Sequence, residues 1–132
     1  MSRHFRMAAD NPAGDEDRVA PRWVCHPAST GAKQLTVIDA TLAHGQGHSF
    51  HSHPNQEEVL FVIAGKVEQW VDREKRILNF GDAAFIPAGV VHASFNVGEG
   101  DARLVAIFGP SVGDGFEMID MSSEAPWKSL RA

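Results

Sequence analysis

Residues 45–65 read GQGHSFHSHPNQEEVLFVIAG, and the fold turns on this stretch. His51 and His53 are two residues apart, and on a β-strand residues i and i+2 point to one face. Pro54-Asn55 breaks the strand; Glu57-Glu58 and the apolar run Val59 to Ala64 follow. Two imidazoles on one strand face, with a carboxylate a few residues on, are ligand types suited to divalent ions of the first transition row. Parity assigns Glu58, Leu60 and Val62 to one face of the second strand and Val59, Phe61 and Ile63 to the other. If Glu58 faces inward, Leu60 and Val62 line a pocket, and Phe61 packs outside against another layer or subunit. Glu57, one residue earlier, would show the opposite face. Both faces are apolar, as expected for a strand covered on both sides.

A second stretch, GDAAFIPAGVVHASFN over residues 81–96, supplies another histidine, His92, just past the turn at Pro87 and Gly89. Along Val91 to Val97 parity sets Ser94 on the face of His92 and therefore toward the pocket. Three histidines and one carboxylate fill four positions of an octahedron, leaving two neighbouring ones open for water, substrate or oxygen.

The first stretch fits G-x5-H-x-H-x4-E-x6-G at Gly45, His51, His53, Glu58 and Gly65, and the second fits G-x5-P-x-G-x2-H-x3-N at Gly81, Pro87, Gly89, His92 and Asn96. Together they resemble the two cupin motifs, and the fifteen residues between them resemble the spacing of small single-domain microbial cupins. Ten fixed positions over roughly residues 35 to 108 make the resemblance specific. It implies an all-β protein, an antiparallel β-barrel of jelly-roll or double-stranded β-helix type. It also implies that His51, His53, Glu58 and His92 are the ligands of one divalent metal. The set does not name the metal, since iron, manganese, nickel, cobalt, copper and zinc all accept it. By the same resemblance a homodimer is expected, because small cupins often pair their outer sheets.

Composition narrows the rest. The 132 residues suit one domain, and 43% hydrophobic content suffices for a core. A net charge of −5 without a basic cluster argues against a nucleic-acid surface. No run approaches a membrane span, and Arg3 and Arg6 precede no apolar segment of the signal-peptide kind. The single cysteine, Cys25, rules out a disulfide framework, so a cytoplasmic setting is expected. With no charged neighbour in sequence, Cys25 reads as inert.

Residues 1–20, with the acidic run Asp15-Glu16-Asp17, read as a flexible or loosely draped arm. The barrel is expected over 21–115 and a tail packing on it over 116–132. Within the barrel, strands are expected at Arg22 to Cys25, over 33–43, along 57–65, at Ala83 to Ile86, Val91 to Val97 and Arg103 to Phe108. Lys66 to Val71 and Arg76 to Phe80 form a hairpin across the charged turn Asp72 to Lys75. In the tail, Ser122-Ser123-Glu124 could cap a short helix before Trp127. His48, three residues before His51, is a candidate proton carrier at the mouth of the site. His4, His26 and His44 stand outside any constellation, Asn96 reads as a structural amide, and the phenylalanines read as core.

The expected activity is that of a divalent-metal-dependent enzyme of dioxygenase-like type on a small anionic or chelating substrate. A three-histidine, one-glutamate set resembles that of quercetinase-like and acireductone-type dioxygenases and of oxalate-type enzymes. Glu58 counts against the cysteine-dioxygenase branch, and the absence of tyrosine counts against the sugar-nucleotide epimerases of this fold. The alternatives are a non-oxidative metal-dependent isomerase or decarboxylase, and a small-molecule-binding or sensing module.

Overall fold

A computed structural model describes residues 3–11 and 19–131. The strands are β1 (Val19–Cys25), β2 (Thr36–Leu42), β3 (Gly47–Ser52), β4 (Glu57–Ala64), β5 (Val67–Val71), β6 (Glu74–Leu78), β7 (Ala83–Ile86), β8 (His92–Asn96), β9 (Ala102–Gly109) and β10 (Ile119–Asp120). Two one-turn helices, α1 (Pro27–Thr30) and α2 (Trp127–Leu130), and a 3-10 turn at Ala8–Asp10 complete the described elements. The strands form two five-stranded antiparallel sheets, ordered β1-β2-β9-β4-β7 and β10-β3-β8-β5-β6. This is a jelly roll of two facing sheets; among the described residues no ladder closes it into a continuous barrel.

The inner face of the first sheet follows from period-2 alternation. In β9, Ala102, Leu104, Ala106 and Phe108 are buried while Arg103 is exposed and Val105 and Ile107 are half-buried. Residues directly opposite in an antiparallel ladder share a face. Leu104, Ala106 and Phe108 therefore bring in Val62, Leu60 and Glu58 of β4, and Ala40, Ile38 and Thr36 of β2. The apolar residues among these, with Leu42, Val67, Leu78, Ile86 and Ala102, are the main core, and Thr36 and Glu58 are buried polar groups on the same face. Each fully buried aliphatic side chain stabilises by about 1.5–3 kcal/mol, so this layer supplies most of the drive to close the sheets.

A second, smaller core lies on the far side of the second sheet. Phe50, Trp70, Val91 and Ala93 are buried there beneath Phe95, Met121, Trp127 and Leu130. The segment after β10 thus covers the outer face of that sheet. Arg131 fastens it, its guanidinium 3.8 Å from the Phe95 ring centroid and its Nε donating to Glu68.

Several expectations are corrected. The hairpin turn is two residues, Asp72-Arg73, because Asp72 adopts a left-handed backbone (φ 54°) that lets Val71 pair directly with Glu74. β1 starts at Val19 instead of Arg22, and β2 at Thr36. Ser122-Ser123-Glu124 caps no helix: the Ser122 amide and hydroxyl donate to Asp120 Oδ1, and α2 begins behind Pro126 without a side-chain cap. Of the expected N-terminal arm, residues 3–11 are described, with Asn11 Nδ2 donating to the Trp23 carbonyl; Asp15-Glu16-Asp17 falls outside the described residues. Among the described residues no helix is long and apolar enough to cross a membrane.

Gly65 closes β4 with φ +83°, and a Cβ there would lie 2.7 Å from Ala102 Cα and 2.8 Å from the Asp101 carbonyl oxygen. Both a left-handed backbone and a backbone collision oppose any side chain. Gly65→Ala is expected to cost at least about 1–3 kcal/mol in urea unfolding; an unchanged midpoint would contradict this account of the turn.

Candidate metal centre

The site forms where the inner faces of the two sheets meet. His51 lies in β3 directly opposite His92 of β8, and His53 sits just past the end of β3. Glu58 comes across from β4, on the first sheet. All four are buried, whereas Glu57 is exposed on the other face. Ring centroids of His51 and His92 are 4.2 Å apart, those of His51 and His53 4.9 Å, and those of His53 and His92 5.1 Å. One nitrogen of each ring lies within 4.8 Å of the others, so the three together could hold a metal ion.

Hydrogen bonds fix which nitrogens face inward. Nδ1 of His51 meets the Ser49 carbonyl at 2.6 Å, Nδ1 of His53 the Glu117 carbonyl at 2.6 Å, and Nδ1 of His92 the Val90 carbonyl at 3.0 Å. A carbonyl only accepts, so each Nδ1 carries the proton and each Nε2 presents a lone pair. Glu58 Oε1 lies 2.9 Å from His92 Nε2 and 3.4 Å from His53 Nε2. Neither Glu58 Oε1 nor His92 Nε2 has a hydrogen-bond partner, and both are shut off from solvent. Two acceptors at that distance repel unless a proton or a cation stands between them. The residues therefore fit a bound cation: neutral nitrogen donors and one carboxylate, oriented from behind by backbone carbonyls.

Burial also favours the neutral form of His51, His53 and His48. It lowers His51 well below the ordinary histidine value, helped by His48 and His92. His53 is lowered too, mainly by burial, although Glu58 and the Glu117 carbonyl oppose the shift. His48 is lowered to about 4, first by burial and then by His92 and His53, against Asp120. The neutral ring is the ligating form.

His48 is part of the cavity because β3 carries an irregularity. His48 pairs with Ser94 and His51 with His92, so three steps on β3 match two on β8. The extra residue restores parity and turns both imidazoles to one face. They stack at 3.8 Å with planes 16° apart.

Above these residues lies a cavity of about 660 Å³. Leu60 and Ser94 border it, with Ser94 Oγ donating to Gln69 Oε1 at 2.6 Å. Val62 does not: one turn of alternation further along β4 it is sealed in the main core, against Leu104 and away from the opening. Phe108, expected as core alone, and Phe116 both line the cavity. Asn96 is a structural amide, donating to the Leu42 and Gly100 carbonyls and accepting from the Gly98 amide.

Gln56 escaped the sequence reading. It is fully buried, donates to the Pro110 and Gly115 carbonyls, and accepts from the Glu117 amide. It thereby fixes the backbone whose Glu117 carbonyl orients His53. The available signal was parity, since Gln56 shares the face of Glu58 and Leu60.

A jelly roll with three imidazoles and a carboxylate meeting between its sheets defines a class of β-sandwich built around an ion-sized cup. The cupin domain family model matches residues 38–108, and the chain belongs to that family. It is 36% identical over 89 residues to protein SchB of Streptomyces halstedii, covering 67% of this chain and 64% of SchB. It is 39% identical over 67 residues to quercetin 2,3-dioxygenase of Bacillus subtilis, covering 49% of this chain and 20% of that protein. The chain thus spans less than two thirds of the length of these curated relatives. The structure of KdgF from Halomonas sp. superposes with a TM-score of 0.74 at 23% identity, covering 83% of this chain and 96% of that one, a likeness of fold.

The lowered imidazoles carry a pH signature. An unfolded histidine titrates near 6.5, while folded His48, His51 and His53 titrate lower. Between those values the unfolded chain binds more protons, so stability falls as pH drops from about 6.5 toward 4. Metal-stripped protein should lose several degrees of Tm between pH 7 and 4.5, at roughly 4 °C per kcal/mol. His48→Gln should flatten that slope; an identical slope in the variant would contradict the burial of His48.

Proposed function

We propose that this protein is a divalent-metal-dependent enzyme of dioxygenase-like type. His51, His53, His92 and Glu58 hold one ion of the first transition row, and a small chelating substrate enters the cavity beside it. The observation that carries the reading is the pair of buried, partnerless acceptors, Glu58 Oε1 and His92 Nε2, 2.9 Å apart. Three neutral imidazoles and one carboxylate would leave a divalent ion one net positive charge. Such an ion supplies Lewis acidity and a conduit for electrons when bound.

The chain's own groups divide the remaining work. The Ser49, Val90 and Glu117 carbonyls hold the imidazole tautomers. His48 lines the cavity within reach of a bound substrate and is placed to relay the proton that an enolic substrate gives up. The main-core side chains around the inner end exclude water. The likeness to quercetin 2,3-dioxygenase over 67 residues supports oxygen as co-substrate.

Elemental analysis of protein purified without added metal should find about one divalent transition ion per chain. His92→Ala should weaken metal binding by at least about 10-fold, and oxygen uptake should accompany turnover. Full metal content in His92→Ala would overturn the ligand assignment, and turnover proceeding equally without oxygen would move the activity to the non-oxidative class.

The protein also pairs with a second copy through the outer face of its first sheet, where Phe85 and Phe61 are 55% and 38% exposed beside half-buried Val59 and Val105. Large exposed aromatics clustered on one sheet face favour burial against a partner. Sedimentation at micromolar concentration should give a dimer that Phe61→Asp dissociates; a monomeric unmodified protein would end this reading.

A further inference from the structure

The cavity is chemically one-sided. Its lining carries Trp23, Leu42, Leu60, Leu104, Phe108 and Phe116 among other apolar groups. Among the described residues, no lysine or arginine lines it, and the charged side chains that do are the carboxylates Glu58 and Asp120. A bound dianion would therefore find no cationic side chain to compensate the loss of its water. The volume of about 660 Å³ falls within the range of sites for drug-sized molecules, far more than a two-carbon diacid needs.

One wall has a definite shape. Trp23 stacks on Phe116 at 5.5 Å and 20°, and Phe116 stacks on Phe108 at 5.3 Å and 10°. His53 stands edge-on to this row, 4.8 Å from Phe108 and 5.4 Å from Phe116 at 77° and 80°. The offset-stacked rings form a continuous aromatic wall, presenting ring edges and partly overlapped faces, that runs up to one of the three converging imidazoles. Offset or edge-on contact of a ligand ring with such a surface adds to plain burial.

We infer that the ligand class of this cavity is a flat, ring-bearing enol or phenol with a neighbouring carbonyl, apolar over most of its surface, and that dicarboxylates and sugar acids are excluded. The polar end faces His51, His53 and His92; the ring body lies against Trp23, Phe116 and Phe108. The assignment of the polar end rests on the metal-centre reading above. The ring wall does not, and the two can fail separately.

Titration calorimetry on the full chain, metal-stripped and cobalt-loaded, decides both. The probes are 2-acetyl-1-naphthol, a two-ring enolic ketone, and oxalate. The naphthol should bind loaded protein at least about 10-fold more tightly than oxalate. It should also keep measurable affinity for stripped protein, where the wall alone acts. Phe116→Asn should weaken the naphthol in both forms, and Phe116→Leu should largely restore it, with melting curves checking that both variants fold. If cobalt is not taken up but stripped protein still binds the naphthol through Phe116, the metal reading falls and the ring-wall inference stands. Oxalate binding as tightly as the naphthol to loaded protein, or no naphthol binding to stripped protein, would overturn the inference without any variant.

Discussion

The arrangement depends on one electrostatic constraint: lone pairs pointed at each other inside a dry fold. Three Nδ1–H groups are committed to backbone carbonyls, so three Nε2 atoms must face inward as acceptors. Glu58 adds a fourth acceptor from the opposite sheet. Such a cluster is unfavourable by itself, because Glu58 Oε1 and His92 Nε2 have lost their water without gaining a donor. It persists because the surrounding ladders and core over-determine the positions of the side chains. A positive charge at the centre turns the same repulsion into attraction. The main core thus does two things at once: it joins the sheets, and it sets the spacing of the acceptors.

Each sheet contributes a different part of that spacing. The second sheet supplies all three imidazoles from β3, its end and β8, so their mutual positions are set by one ladder and one irregularity within it. The first sheet supplies the carboxylate from β4, held between β9 and β7. The cup is therefore an intersheet feature. Packing changes in the layer of Leu60, Ala106 and Ile38 would shift Glu58 relative to the imidazoles. Interiors are close-packed and transmit such strain.

What the sequence made legible follows from periodicity. β4 and β9 alternate cleanly, and parity along them correctly sends Glu58 and Leu60 inward and Glu57 outward. Parity carries no information on depth, which is why Val62, on the correct face, is sealed in the core instead of bordering the cavity. Nor can it register an extra residue. His48 and His51 are three apart, which strict alternation puts on opposite faces, and only pairing with β8 reveals that both face in. β10 left no trace in the pattern because it is two residues long, with exposed side chains, and is defined wholly by its pairing with Ser52 and His51. Gln56 was hidden for a related reason: its partners are main-chain groups of residues 110, 115 and 117, which no side-chain pattern encodes.

The boundary of the family match runs through the cavity. Residues 38–108 contain all three imidazoles, Glu58 and Gln56, the parts that would hold an ion. Trp23, Phe116, Met118 and Asp120 also border the cavity, and all lie outside that span. They come from β1 and from the segment leading through β10, which meet at the Trp23–Phe116 stack. Gln56 and His53 tie the later segment down through the Glu117 amide and carbonyl. The flanks are thereby anchored to the metal-centre residues themselves. In this chain an exchange of these flanking walls would reshape the cavity, but it would have to keep a carbonyl in the place of that of Glu117 for His53 to hold its orientation. The cavity wall is therefore composite: Trp23 and Phe116 from the flanks complete a lining begun by Leu60, Leu104 and Phe108, and the later flank is held to the metal-centre strands by Gln56, by the Glu117 carbonyl and by the pairing of β10 with β3.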